Sequence, residues 1–369
     1  MGGYLLYHSI GTYPEKANET AVALSRFADL WSREDDNQWP EALTARSHFI
    51  RSWEQLISAQ QGSMTTVENV TVALSSVIGS LPVDLLRGKR VLIAQDCFPS
   101  LHFLLSGLQE RLGFRLDTVA IRQGQAYVED EDYLANWGDD VALAVITWVT
   151  STSSKLADLS ALAARAKQTG TLTVVDITQG VGILPFAVED FDVVVGSSLK
   201  WLCGFSGAGM LYVRPALLAH CQPTLRGWFS QPNPFSWALD AFSYADDARR
   251  FDHGTPAVLA AVASQPGLDF VLKTGVDALR HHNLALTHAL VEMGTDLGLT
   301  LASPHNSSQR GGSVMLKAVD VEKARSIVAD LKARDIFIDH RGETLRLSPG
   351  IVTTMEDLTD LAATLASYR

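Results

Sequence analysis

Between residues 63 and 265, short runs rich in Val, Ile and Leu alternate with longer stretches whose apolar positions recur every three or four residues. Residues 90–94, 141–147, 171–175, 193–195 and 210–213 read as strands: each is brief, apolar and bounded by polar or small residues. The Ala-rich stretch 156–167 reads as a crossover helix. Such alternation predicts an α/β fold with a mostly parallel, doubly wound sheet. Upstream, residues 17–60 are mainly helical, with Ala21, Leu24, Phe27, Ala28 and Trp31 at helical spacing. Beyond Gly267 the pattern becomes a helix through His281, a strand at 312–316, a helix at 321–333, a short strand at 336–338 and a final helix from about 355. The predicted organisation is an N-terminal segment, 1–16, packing with a small α+β domain at 267–369, and a large domain at 17–266.

A chain of 369 residues, 47% of them hydrophobic, can build two cores of that kind. The formal net charge of -11 comes with no Lys/Arg cluster, so nucleic acid is not an expected partner. Cys97, Cys203 and Cys221 form neither a C-x-x-C pair nor a zinc-ligand spacing; no metal is expected, and reduced thiols in a cytoplasmic protein are the simplest account. The N-terminus lacks a positive leader region, and no stretch supplies about 18 uninterrupted apolar residues, so no membrane association is expected.

The strand ends carry the chemistry. Asp176 closes the run 171–175, Gln179 follows three residues later, and the run 191–195 leads through Gly196-Ser-Ser-Leu199 to Lys200. Neighbouring parallel strands would bring these three groups to one edge of the sheet. An amine beside a buried carboxylate is what Schiff-base chemistry on pyridoxal phosphate needs, the amine for the imine and the acid to keep the pyridine nitrogen protonated. On spacing alone, an ordinary strand-end Asp and a surface Lys remain open.

The run from Val175 to Gly182, the segment from Asp192 through Lys200 and the run Gly207-Ala-Gly-Met-Leu-Tyr-Val213 resemble the cofactor core of the class V aminotransferase superfamily, fold type I of the pyridoxal phosphate enzymes. The resemblance is strongest from about residue 60 to 256. It implies a Schiff base on Lys200, a ring-nitrogen partner in Asp176, and a donor to the ring's phenolic oxygen in Gln179, with Ser198 beside the cofactor. Asn69, Val70 and Thr71 occupy the place of the phosphate cup, where the unpaired N–H groups of a helix start suit an anion; a plain N-cap is the other reading. Cys97-Phe98-Pro99-Ser100 resembles a kynureninase turn whose aromatic ring stacks on the cofactor, although Phe98 could equally plug a core. Ser9, in His8-Ser9-Ile10-Gly11, and Trp148 match kynureninase segments near the substrate. Trp228 and Thr255 match loops that cross a homodimer interface to the cofactor. Arg346, in Leu345-Arg-Leu-Ser-Pro349, matches the residue that grips the substrate carboxylate, as a planar guanidinium can; a surface ion pair is the alternative.

The departures are specific. Kynureninases carry Tyr before the Schiff-base Lys and Asp after the Phe-Pro-Ser/Thr turn, where this chain has Leu199 and Leu101. They also carry His at the position of Gln179. A cysteine desulfurase needs a mobile cysteine in the small domain, and residues 305–312 contain none. The expectation is a homodimeric pyridoxal phosphate enzyme acting on a small-molecule amino acid, by kynureninase-like cleavage or by amino-group transfer. A desulfurase-like or epimerase-like enzyme, or a degenerate cofactor-binding protein, stands as the alternative.

Overall fold

The apolar runs form the centre of a seven-stranded sheet in the computed structural model, which describes residues 3–368. Its strands are β1 (Met64–Val67), β2 (Arg90–Ala94), β3 (Arg115–Val119), β4 (Val141–Thr147), β5 (Leu172–Asp176), β6 (Val193–Ser197) and β7 (Gly209–Val213), in the spatial order β1-β7-β6-β5-β4-β2-β3. From β6 to β3 the pairing is parallel, while β7 runs antiparallel to both of its neighbours. Helices cover both faces, which is why Val174, Val175, Val195 and Leu211 are fully buried and why the central strands are apolar on successive residues. The crossover helix Leu159–Thr169 starts at Asp158, whose carboxylate accepts the Ala161 N–H at 3.1 Å, and stops at Gly170 in the left-handed region.

Parallel strands place their carboxyl ends along one edge. Thr147 lies opposite Asp176 in register, and Asp176 lies opposite Val195, so β4, β5 and β6 open onto the same crevice. Below it, helices Lys16–Trp31 and Gln38–Leu56 pack on helix Val258–Thr274. Arg46 anchors this layer: its guanidinium holds Asp252 with two bonds of 2.8 Å and reaches the Thr65 and Thr66 hydroxyls, with both charged groups nearly inaccessible. Burial of an ion pair is tolerated here because its donors and acceptors are matched.

A second, antiparallel sheet is built from β8 (Thr300–Leu301), β9 (Val314–Lys317), β10 (Asp339–Arg341) and β11 (Thr344–Leu347), in the order β10-β11-β9-β8. Its core gathers Leu286, Leu290, Ile327, Leu331, Leu345 and Leu361 with Leu5 of the N-terminal segment. The Leu5 N–H donates to Phe337 O at 3.0 Å, and the Ser348 N–H donates back to Leu5 O at 2.9 Å.

Two expectations shift. The pattern change at residue 267 falls inside helix Val258–Thr274, which continues past Pro266 with Gly267 pressed against the Leu202 and Cys203 backbone. The strand expected at 336–338 lies further on, at β10: Ile336 and Ile338 are buried in the core, while the Phe337 backbone pairs with the N-terminal segment. Among the described residues no helix is long and apolar enough to cross a membrane.

Candidate active site

Asp176, the last residue of β5, is buried at the floor of the crevice. Its Oδ1 accepts both the Thr178 N–H, at 3.0 Å, and the Thr178 hydroxyl, at 2.5 Å, which leaves Oδ2 for a donor from the cavity. Burial pushes this carboxyl up, opposed by the Thr178 bonds and by the nearby Lys200 charge. The opposite shift meets Lys200, which follows β6: burial pulls its amine down to about 8, reinforced by the Arg346 charge and opposed by Asp176. Lys200 Nζ lies 5.4 Å from the centre of the Phe98 ring.

The N-terminal segment braces this lysine. The Gly11 N–H donates to Leu199 O at 2.9 Å, and a Cβ on Gly11 would sit 1.8 Å from Lys200 O, a contact only glycine avoids.

Around these groups opens a cavity of about 670 Å³, the size of a cofactor-plus-substrate site. Ser9, Val70, Thr71, Phe98, Gln179 and Arg346 line it, as do Leu101 and Leu199, the two apolar replacements. Asn69 also lines it, and its side chain caps helix Val70–Ile78 by accepting the Val72 N–H at 3.0 Å, so the capping and anion-site readings meet in one turn. The Gln179 amide donates to His8 O at 3.1 Å. Arg346 is buried; its Nε donates to Asp339 Oδ1 at 2.7 Å, Nη2 to Asp339 Oδ2, and Nη1 to Ser151 O at 3.2 Å. Of five N–H groups this leaves one on each terminal nitrogen for a carboxylate in the cavity. Asp339 also accepts from His8 Nε2 at 3.0 Å; burial alone would raise its carboxyl, but the His8 and Arg346 bonds hold it well below the usual range.

Four expected residues do not reach this cavity. The Ser198 hydroxyl is buried and donates to Ala208 O at 2.7 Å, and Ser197 lines the cavity in its place. Trp148 points into the core against Phe186, while Thr147, Val149 and Ser151 line the wall. Trp228 sits in an aromatic cluster with Trp39 and Phe229, and Thr255 is exposed on a loop outside the cavity. Conversely, Thr147, His8, Asp339 and Arg341 belong to the site and were not singled out by the sequence. Thr147 was detectable, since it ends β4 beside Asp176, and its buried hydroxyl has no partner among the described residues.

The profile of the family Aminotransferase class-V matches residues 48–358. The chain belongs to that family. It is 27% identical to an uncharacterised aminotransferase, YcbU, of Bacillus subtilis over 87% of this chain and 83% of that one. To a kynureninase of Deinococcus radiodurans it is again 27% identical, over 84% and 83%. Among solved structures, an apo cysteine desulfurase from Thermococcus onnurineus superposes with a TM-score of 0.87 at 17% identity, covering 99% of this chain and 94% of that one. The cystine C-S lyase C-DES in complex with cysteine persulfide does so with 0.87 at 18%, covering 99% and 97%; at such identities the likeness shows the fold.

As a member of this family the protein is a pyridoxal phosphate enzyme, and its residues fit the cofactor: a buried acid with one oxygen to spare, an amine with no hydrogen-bond acceptor among the described residues, and a helix start opening on the same cavity. The lowered Lys200 amine has a measurable consequence. Capture of pyridoxal phosphate by cofactor-free protein, followed by absorbance, should speed up with rising pH and level off above about 8. A rate still climbing towards the ordinary lysine value of 10.5 would contradict the burial of this amine.

Proposed function

We propose that the enzyme acts on an α-amino acid whose carboxylate is gripped by Arg346 and whose α-proton is moved by Lys200, leading to amino-group transfer or kynureninase-like side-chain cleavage. The observation that carries this is the convergence of Asp176, Lys200 and Arg346 on one cavity. Pyridoxal phosphate, when bound, supplies an electron sink conjugated to the substrate's α-carbon. Asp176 Oδ2 would hold the proton on its ring nitrogen, the N–H groups at the start of helix Val70–Ile78 would take its phosphate, and the Phe98 ring would lie over it. Lys200 is the residue to which the cofactor's aldehyde would attach, and a substrate amine taking its place would leave Lys200 free to act as a base. Its lowered basicity then lets it accept the α-proton near neutral pH and return it elsewhere.

A cysteine-persulfide route finds no support in the chain. All three cysteines are buried, and burial raises the thiols of Cys97 and Cys203 to about 12, so no ready thiolate is present among the described residues. Three free thiols also suit a cytoplasmic location.

Asp176→Asn should retain much of the cofactor but slow α-proton removal by several orders of magnitude, on the order of 4 kcal/mol. Single-turnover spectra over a panel of amino acids would measure this, and identified products would separate the two outcomes: pyridoxamine phosphate for transfer, a released side-chain fragment for cleavage. Near-normal rates in Asp176→Asn would defeat the electron-sink role.

The enzyme, in this reading, is a homodimer with shared sites. Trp228 and Thr255 lie outside their own chain's cavity, and the neighbouring segment leaves Trp237 and Leu239 at 79% and 99% exposure, apolar side chains that a partner subunit would cover. Mixing Lys200→Ala with a disabling Thr255 variant should restore roughly a quarter of wild-type activity after random exchange, since half the dimers are then mixed and each has one intact site. Mixtures that stay inactive despite proven exchange would rule out sharing.

A further inference from the structure

We propose that Arg341 selects for substrates carrying a second acid group, a carboxylate or sulfinate, at the end of a short side chain; this rests on the reading of Arg346 as the grip for the α-carboxylate. The argument starts in the β10–β11 hairpin. Asp339 pairs in register with Arg346 and Arg341 with Thr344, and because side chains alternate along a strand, Asp339 and Arg341 share one face. Arg341 lines the cavity while remaining 65% exposed.

Charge then distinguishes the two arginines. Asp339 is already committed: Arg346 takes both of its oxygens, and His8 Nε2 shares Oδ1. For Arg341 it is a looser ion-pair partner, 3.7 Å from Nη1, and among the described residues the only hydrogen bond from the Arg341 guanidinium is Nη1 to the adjacent His340 O at 3.0 Å. Most of its five donors are therefore unspent. Among the described residues, the carboxylate that lines the cavity itself is Asp176, which lies buried on the floor and is needed by the cofactor ring. The mouth thus presents two guanidiniums against one shared carboxylate. A monocarboxylic amino acid would satisfy Arg346 and leave Arg341 facing water.

An acidic side chain would satisfy both. Arg341 and Arg346 are diagonal neighbours across the β10–β11 pair, their positions roughly 7–8 Å apart, a span that flexible Arg side chains adjust to the separation between the two acids of a short dicarboxylic amino acid. The planar fork of Arg341 is suited to a carboxylate or sulfinate and makes no charge-assisted hydrogen bond with an aliphatic or aromatic side chain.

The test uses cofactor-loaded enzyme and matched pairs: aspartate with asparagine, glutamate with glutamine, and cysteine sulfinate with cysteine. Dissociation constants come from the change in cofactor absorbance, and kcat and KM from product formation. Wild-type enzyme should favour the acidic member of at least one pair by about tenfold or more. Arg341→Gln should abolish that preference, the loss falling on KM, and Arg341→Lys should restore part of it. Equal or better use of the neutral members by wild type would overturn the proposal, as would a preference that survives Arg341→Gln. If no amino acid of either kind perturbs the cofactor absorbance, the broader reading of an amino-acid enzyme fails and takes this one with it; a clear response to neutral amino acids alone refutes only the role of Arg341.

Discussion

Desolvation of Asp176 governs the site. A carboxylate at the end of a central parallel strand, covered on both faces, cannot stay ionised cheaply, and an unmatched buried charge costs several kcal/mol. Its two Thr178 bonds on one oxygen offset part of that cost and leave the other oxygen turned to the cavity. The pyridine nitrogen of the family's cofactor would be the matching donor in the proposed mechanism, and the proton held there would make the ring an electron sink. The same desolvation acts with opposite sign on Lys200, drawing its amine towards the neutral form that attacks carbonyls and accepts protons. One physical effect therefore prepares both groups, and it does so because β5 and β6 are neighbours whose carboxyl ends share an edge.

The four-stranded sheet and the N-terminal segment complete the site by fixing orientations. His8 receives the Gln179 amide on its backbone carbonyl and gives a ring nitrogen to Asp339, which in turn squares the Arg346 guanidinium towards the cavity. Gly11 lets the same segment lie directly on the Lys200 backbone. Residues more than three hundred positions apart in sequence thus set the angle of the Arg346 guanidinium, the proposed carboxylate grip.

What the sequence disclosed and what it hid follow from the range of the interactions involved. That Asp176, Gln179 and Lys200 share one cavity was legible because strand ends are local features, and their resemblance to the class V core suggested the roles proposed for them. Ser198 and Trp148 were each one residue off. Thr147, Val149 and Ser151 face the cavity and Trp148 the core, just as Ser197 and Leu199 line the cavity and Ser198 turns away, because side chains near a strand end alternate between faces and a single-residue slip reverses them. Asp339 and Arg341 were missed because the apolar run at 336–338 drew the expected strand three residues early. The edge strands β1 and β3 escaped too: their mixed polarity reflects a sheet margin that only tertiary structure defines.

The most direct test of this account is borohydride reduction of the protein with pyridoxal phosphate, followed by peptide mass mapping, in wild type and Lys200→Ala. The account requires a pyridoxyl group on Lys200 in wild type and no stoichiometric adduct in the variant. A stoichiometric adduct on any other lysine, or an unmodified Lys200 in protein that holds the cofactor, would contradict it.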